Sequence, residues 1–263
     1  YKVTALWSAM EGSLLLWSLV LASFTFFAVH IVKRRRGPGA AYATAIMAAN
    51  QVFFLGIILL YENPFHLISD VESVPVGFAP SDGQGMNPLL VHPVMAIHPP
   101  ILYCGYVGFV VPFAFAMGAL ISRNLDEEWI RTTRRWTLVP WFLLGVGQLL
   151  GGKWAYVVLG WGGYWAWDPV ENAAFMPWLA LTAFIHSIMV QKRRGLFRSW
   201  NIILLNVAFT LALFGMFINR GGPVPSVHSF GASSLGWIFL AFLGLSLLFS
   251  FGVFAFRYKA IKS

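Results

Sequence analysis

The sequence predicts an all-α integral membrane protein, a bundle of about seven transmembrane helices. The composition is the first reason: 58% of the 263 residues are hydrophobic, only 11% are charged, and the mean hydropathy is +0.70. A soluble domain carries about a quarter charged residues, so a water-soluble globular domain is excluded. We expect residues 1–263 to form a single polytopic membrane domain.

The second reason is the length of the apolar stretches. A membrane core of about 30 Å needs about 20 helical residues, and seven stretches reach or approach that length. The predicted spans are 12–32, 40–61, 94–122, 137–158, 173–190, 200–218 and 235–256. Pro and Gly recur through residues 62–93, which predicts an irregular external loop. A second external loop covers residues 159–172.

The third reason is the placement of the basic residues. Of the 18 Lys and Arg residues, 15 fall in four segments between or after the predicted spans: Lys33–Gly37, Arg123–Trp136, Lys192–Arg198 and Arg257–Lys262. By the positive-inside rule these segments are cytoplasmic, which places the N-terminus outside and the C-terminus in the cytoplasm. The net charge of +8 therefore reflects orientation, and no nucleic-acid partner is expected.

The external loop before the predicted fifth span is rich in aromatic residues. Between Trp161 and Trp167 it holds four of them: Trp161, Tyr164, Trp165 and Trp167. A belt of rings at the membrane surface would explain single aromatic residues. Their crowding beside a Gly-Gly pair favours a stacked platform that holds a planar aromatic ligand.

Asp168 and Glu171 follow this loop and allow two interpretations. They resemble a pair of carboxylates for acid–base chemistry. However, Asp168 at the N-cap, Pro169 at the first helical position and Glu171 two residues later form the pattern that satisfies free N–H groups at a helix start. We therefore expect the pair to begin the fifth span.

Two histidines are predicted to lie at the depth of the aromatic loop. Pro99 and Pro100 suit the first turn of a helix and would hold His98 extended before it, near the external face. His228 lies just before the last span. Neutral imidazoles on opposite faces of a haem are suitable axial ligands for its iron. The alternative is two helix-end histidines bonded to the backbone, and the residues alone leave both open.

The other histidines and one arginine sort by depth. His186 lies about 20 Å below the external face, as a packing residue or a cofactor ligand. His30 is expected at the cytoplasmic end of the first span, and His66 and His92 are expected in solvent. Arg220 is the candidate partner of a haem propionate, with ordinary snorkelling to the interface as the alternative.

Several segments resemble one known family. Residues Trp161–Asn172 resemble the tryptophan-rich WWD signature of haem-handling proteins. The whole set is similar to the CcmF family, the haem lyase subunit of bacterial system I cytochrome c maturation. The other matching segments are Glu11–Trp17, His98–Pro100, Ala173–Ser187 and Ser226–Phe230. The likeness covers nearly the whole chain and the central part of the family, so we expect a piece of a longer or split protein.

The resemblance implies roles for individual residues. His98 and His228 would ligate the haem that is to be attached, and Trp161, Trp165, Trp167 and Asp168 would belong to the loop over which the haem chaperone CcmE presents that haem. His186 would hold a second, permanent haem b within the membrane. The second ligand of that haem would lie outside this chain.

The resemblance also implies a reaction and its setting. Two cysteine thiols of a CxxCH segment of apocytochrome c would add across the haem vinyl groups, so no residue of this chain acts as a nucleophile. The reaction would occur on the external side of a bacterial-type cytoplasmic membrane, in a complex with apocytochrome-handling subunits. The alternatives are a haem transporter or exporter, the related single-protein system II synthase, and a purely structural assembly subunit.

Overall fold

The structure is a computed structural model that describes residues 2–33, 39–83, 85–125, 127–230 and 233–262. In these ranges the chain forms α-helices joined by loops, with one 3-10 turn at Pro88–Leu90. The helices are α1 (Lys2–Ser8), α2 (Met10–Lys33), α3 (Gly39–Leu60), α4 (Ile68–Val71), α5 (Val94–Gly108), α6 (Val110–Ser122), α7 (Glu127–Val158), α8 (Pro169–Arg194), α9 (Arg198–Gly221) and α10 (Leu235–Lys262).

Six segments of the described chain are long and apolar enough to cross a membrane. They are Met10–His30, Gly39–Leu60, Val94–Ser122, Pro169–Arg194, Arg198–Gly221 and Leu235–Lys259. They match six of the seven predicted spans and confirm an all-α, multi-span class. The predicted span 137–158 lies within α7, which is not among these six, so the count of seven and the orientation stay predictions.

The structure changes two of the predicted boundaries, and a third lies mostly outside the described residues. The basic segment Arg123–Trp136 is not simply a connection, because helix α7 already begins at Glu127. The predicted span 94–122 is broken into α5 and α6 at Phe109. Of the predicted connection Lys33–Gly37, residues 34–37 lie outside the described residues. In the described part of the loop 62–93, the regular elements are α4 and the 3-10 turn, as predicted.

The break between α5 and α6 has a local cause. Pro112 has no N–H to donate to the carbonyl of Gly108, and its ring crowds that carbonyl. The α-helical hydrogen-bond pattern is therefore interrupted one turn before the proline, at Phe109.

His98 lies inside a helix, which contradicts the predicted extended conformation. Helix α5 starts at Val94 and includes Pro99 and Pro100. Pro99 cannot donate to the carbonyl of Met95, four residues earlier. The indole N–H of Trp7 donates to that carbonyl instead, at 3.3 Å, so a tertiary contact replaces the lost helical bond.

The centre of the bundle is formed by α5, α6 and α9. In the apolar 18-residue window of Val94–Ser122, 83% of the residues are buried inside the protein, whereas in the corresponding window of α10 the share is 11%. Helices α5 and α7 pack closely, because a Cβ on Gly105 would lie 2.6 Å from the backbone of Leu144. Small residues that let backbones approach are the usual means of helix association in lipid.

Candidate functional site

A cavity of about 430 Å³ lies at the end of the bundle where α8 begins. Helices α1, α2, α5, α7, α8 and α9 and three loops contribute to its wall. The side chains that line it include Trp7, Trp17, His98, Tyr103, Gln148, Trp154, Trp165, Arg220, His228 and Phe230. The structure thus brings His98, Arg220, Trp165 and His228 to one cavity.

His98 is held against helix α7. Its Nδ1 lies 2.8 Å from the carbonyl oxygen of Gly147, and because a carbonyl only accepts, Nδ1 is the donor. The ring sits over Gly151, where a Cβ would lie 2.8 Å from Cε1 of His98. This tautomer leaves the lone pair of Nε2 free, which is the arrangement of a metal-binding imidazole with an outer-shell partner.

His228 is fixed in the same way by a different partner. Its Nδ1 lies 3.2 Å from Oδ1 of Asp168, and a hydrogen-bonded carboxylate makes the imidazole a better ligand through Nε2. The loop is tied back to α9, because Nδ2 of Asn219 donates to the carbonyl of His228 at 2.7 Å. The ring edge of Trp154 packs beside His228 with centroids 5.8 Å apart.

Asp168 begins helix α8, as predicted. Its Oδ1 accepts from the N–H of Val170 at 2.9 Å, and its own N–H donates to Glu171 at 3.1 Å, which completes the capping box. Capping is confirmed. The same Oδ1 also accepts from the hydroxyl of Ser226 at 2.7 Å, so the cap holds the His228 loop as well.

These contacts lower the pKa of the Asp168 carboxyl group. Burial alone would raise the pKa of this carboxyl. The hydrogen bonds from His228, Ser226 and the N–H of Val170 outweigh burial and lower the pKa to about 2. The carboxylate is therefore ionised at neutral pH and acts as an acceptor for both the loop and the helix.

Arg220 is a buried cation on the cavity wall. It is 1% exposed, and its guanidinium lies 5.3 to 5.5 Å from the ring centroids of Trp17, Tyr103 and Phe230. Nη2 donates to the hydroxyl of Ser13 at 3.0 Å. Among the described residues no carboxylate pairs with it, and its Nε has no hydrogen-bond partner. Its two Nη atoms are bonded to neutral partners only, Asn219, Ser13 and Tyr103, so an anionic group in the cavity would add the compensating charge.

The predicted stack of four aromatic rings is not formed. Trp165 alone among the four lines the cavity, and it meets Trp167 edge-on, at 86° and 6.2 Å. Tyr164 stacks on Tyr156 instead, with centroids 4.4 Å apart. Trp161 lies 6.3 Å from His228. The rings point in different directions because the loop turns sharply at Gly162 and Trp167, both with positive φ.

His186 lies apart from this cavity, on an exposed face of α8. Its Nδ1 donates to the carbonyl of Thr182 at 2.8 Å, which also leaves Nε2 free. His30 is exposed beside Phe26, and exposed His66 lies 3.9 Å from Asp70. His92 is half-buried and accepts from the N–H of Val94, so it helps to start α5 and is not simply solvated.

Sequence reasoning missed several residues of the cavity. Gln148 lines it, and its buried Nε2 has no hydrogen-bond partner among the described residues. A lone amide in an apolar stretch was a readable signal for this site. Trp17 and Tyr103 were not separable in sequence from ordinary packing residues, since the sequence does not show which helices meet at Arg220.

This fold and site define a multi-span membrane protein with a cavity lined by histidine and arginine at one end of the bundle. Residues 7–222 match the family model described as Cytochrome C assembly protein. The chain belongs to this family, and the resemblance to CcmF drawn from the sequence is confirmed.

The relatives agree in name. The chain is 47% identical over 265 residues to the cytochrome c-type biogenesis protein CcmF of Pseudomonas aeruginosa, covering 100% of this chain and 39% of that protein. The CcmF of Escherichia coli strain K12 is 45% identical, over 100% of this chain and 40% of its own length. This chain thus spans well under half of these curated relatives.

A solved structure named Cytochrome c Heme Lyase CcmF has the same architecture. Its TM-score is 0.75 at 36% sequence identity, over 96% of this chain and 37% of that one. The fold described above is therefore that of one part of this lyase.

Proposed function

We propose that this chain forms the haem-holding site of a cytochrome c haem lyase. The observation that carries the proposal is that His98 and His228 line one cavity, each with Nδ1 bonded to a protein acceptor and Nε2 free. Two imidazoles are enough to ligate haem iron axially. In the described part of the chain no cluster of three or more His, Cys, Asp or Glu is placed to hold a bare metal ion.

The rest of the cavity suits the other parts of a haem. Buried Arg220 offers a guanidinium to a propionate, and Gln148 offers a free amide N–H. Trp165 provides an aromatic surface at the rim, and Trp161, Tyr164 and Trp167 extend it outward as the surface from which a chaperone such as CcmE hands over haem.

The chemistry needs little from this chain beyond positioning. In each attachment a cysteine S–H of the CxxCH segment of apocytochrome c adds across a haem vinyl C=C, so that sulfur bonds to one carbon and hydrogen to the other. Holding the reacting groups in place removes the entropy cost of a chance encounter. The thiols belong to the substrate, and the role of this chain is to bind and position haem b.

We also propose a second haem at His186, for which an exposed imidazole with a free Nε2 is suited. Its other ligand would come from outside this chain. The setting is a bacterial cytoplasmic membrane with the cavity on the external side, and the partners are apocytochrome c and the subunits that handle it.

Haem binding by purified variants tests the proposal. The chain is purified in detergent, loaded with haem b, and measured by absorption and electron paramagnetic resonance. His98→Ala and His228→Ala should each lose the low-spin signal of two axial imidazoles at this site. His66→Ala is the matched control, because His66 is an exposed loop histidine. Unchanged spectra in both cavity variants would contradict the proposal.

A further inference from the structure

A second cavity lies between the start of α7, the end of α8 and the start of α9. It has a volume of about 710 Å³ and we call it the basic cleft. Five cationic side chains line it, namely Arg131, Arg134, Arg135, Lys192 and Arg198, and none of its described lining residues is acidic. The end of α8 and the start of α9, which are neighbours in sequence, thus share one space with the distant start of α7.

The basic cleft is far from the cavity that is lined by His98 and His228, which we call the haem cavity after the function proposed for it. Val170 lines the cavity and Lys192 lines the cleft, and the 22 residues of α8 between them span about 33 Å. That distance is about the thickness of a bilayer core. The basic cleft therefore lies at the opposite end of the spans, at the level where lipid headgroups meet the protein.

Two features of the basic cleft point to an anionic ligand. Arg134 is half-buried, and its Nε is buried without a hydrogen-bond partner among the described residues. Helix α9 begins there with Arg198, after an N-cap residue, Phe197, whose side chain makes no capping bond. Unbonded N–H groups and a helix N-terminus both attract negative charge.

We propose that the basic cleft binds phosphate groups, supplied by an anionic phospholipid of the adjacent leaflet or by a soluble phosphate compound. Planar guanidinium groups bind phosphate oxygens in pairs, and Arg134 and Arg198 approach the cleft from different helices. A bound phosphate would bridge α7 and α9 across the end of α8.

Native mass spectrometry of the detergent-purified chain tests this proposal. The probes are phosphatidylglycerol, zwitterionic phosphatidylcholine and inorganic pyrophosphate. The double variant Arg134→Gln with Arg198→Gln should weaken binding of the phosphate ligand about tenfold or more, since each lost charged hydrogen bond is costly. The double variant Arg257→Gln with Lys259→Gln removes the same charge from the last turns of α10 and should bind as the parent does.

The source of the phosphate follows from which probe responds. Retention of phosphatidylglycerol over phosphatidylcholine, lost in the cleft variant only, identifies a lipid, and the same pattern with pyrophosphate alone identifies a soluble ligand. Partial rescue by Arg134→Lys with Arg198→Lys, with thermal unfolding unchanged, separates binding from folding. Equal binding of every probe by the parent and the cleft variant overturns the proposal.

Discussion

Three histidines of different sequence context share one hydrogen-bonding pattern. His98 donates through Nδ1 to a carbonyl of another helix, His228 to a carboxylate, and His186 to the carbonyl four residues earlier in its own helix. In each case Nε2 is left available. The sequence predicted a common level for His98 and His228, which line one cavity, but the tautomers follow from partners that only the fold brings together.

Protonation of the Asp168 carboxylate makes the stability of the fold depend on pH in acidic solution. Its pKa falls from an ordinary 3.8 to about 2 in the folded state, so its contribution to stability is complete above 3.8 and is lost as the pH falls through about 2. We expect the apparent melting temperature to drop over this window. Asp168→Asn, which still caps a helix well, should show a shallower drop.

Circular dichroism melts of both proteins between about pH 5 and about pH 2 check this linkage. Other carboxyl groups titrate in the same window, so the difference between the two curves is the quantity of interest. Parallel curves would contradict the stabilising role of the ionised Asp168.

Arg220 tests whether the cavity recognises a carboxylate. Arg220→Gln removes the buried charge, and we expect haem affinity to fall by about tenfold, the worth of a charge-assisted hydrogen bond. Arg220→Lys should retain part of the affinity, since it keeps the charge but not the planar fork. Arg257→Gln is the control, because Arg257 also lies over an aromatic ring, 5.0 Å from that of Phe256. Haem titration followed by absorbance gives the affinities, and an unchanged value for Arg220→Gln would remove the propionate role.

Among the helices, α7 is less apolar than the six candidate spans, and it contributes directly to the cavity. It carries Gly147 and Gly151, which let helix α5 bring Leu102 and His98 against its backbone. It also carries Gln148, which faces the cavity. Two of the residues that make this helix less apolar, Gln148 and Gly151, thus form part of the cavity wall.

Gly151→Ala should move His98 without unfolding the bundle. The new methyl would lie 2.8 Å from Cε1 of His98, so the imidazole must shift. Because a displaced ligand loses its outer-shell support, we expect haem affinity to fall by about tenfold or more. Gly56→Ala in α3 is the matched control, since a Cβ there meets nothing within 4 Å. Equal affinities in the two variants would show that His98 does not need this position.

The contact between α1 and α5 can be measured by a double-mutant cycle. Trp7→Phe leaves the carbonyl of Met95 without its donor and should destabilise the protein by about 1 kcal/mol. In a Pro99→Ala background the restored N–H of residue 99 can take that carbonyl, so the cost of Trp7→Phe should shrink. Denaturant unfolding of the parent, the two single variants and the double variant gives the coupling free energy between the two positions. If the two effects simply add, the indole of Trp7 does not replace the missing helical hydrogen bond.

At the scale of the whole molecule, the sequence predicted what depends on composition and periodicity. It identified six confirmed spans, the cap at Asp168, and the common depth of His98 and His228. It did not predict the break at Phe109, although Pro112 follows one turn later, or the directions of the four loop aromatics, which depend on the backbone turns at Gly162 and Trp167. The lining of the cavity by Trp17 and Tyr103 was beyond it, because the sequence does not show which helices meet at Arg220, whereas Gln148 was a readable signal that was missed.

Whether α7 crosses the membrane decides how many times the whole chain crosses it and on which side each loop lies. Arg134 of α7 lines the basic cleft and Trp154 lines the haem cavity, and the 20 residues between them span about 30 Å. Helix α7 therefore connects the same two levels as α8, although its hydropathy is lower. We expect it to cross the membrane, which makes seven crossings and places the cavity outside.

Accessibility of single cysteines tests this orientation in a Cys104→Ala background. Asn124→Cys and Gly160→Cys flank α7, and both positions lie in loops. A membrane-impermeant maleimide should label residue 160 in intact spheroplasts and residue 124 only in inverted vesicles, because the basic ends stay in the cytoplasm. Ser81→Cys in the long loop should follow residue 160, and Leu196→Cys between α8 and α9 should follow residue 124. Labelling of residues 124 and 160 from the same face would mean that α7 does not cross, and the haem cavity and the basic cleft would then not lie on opposite sides of the membrane.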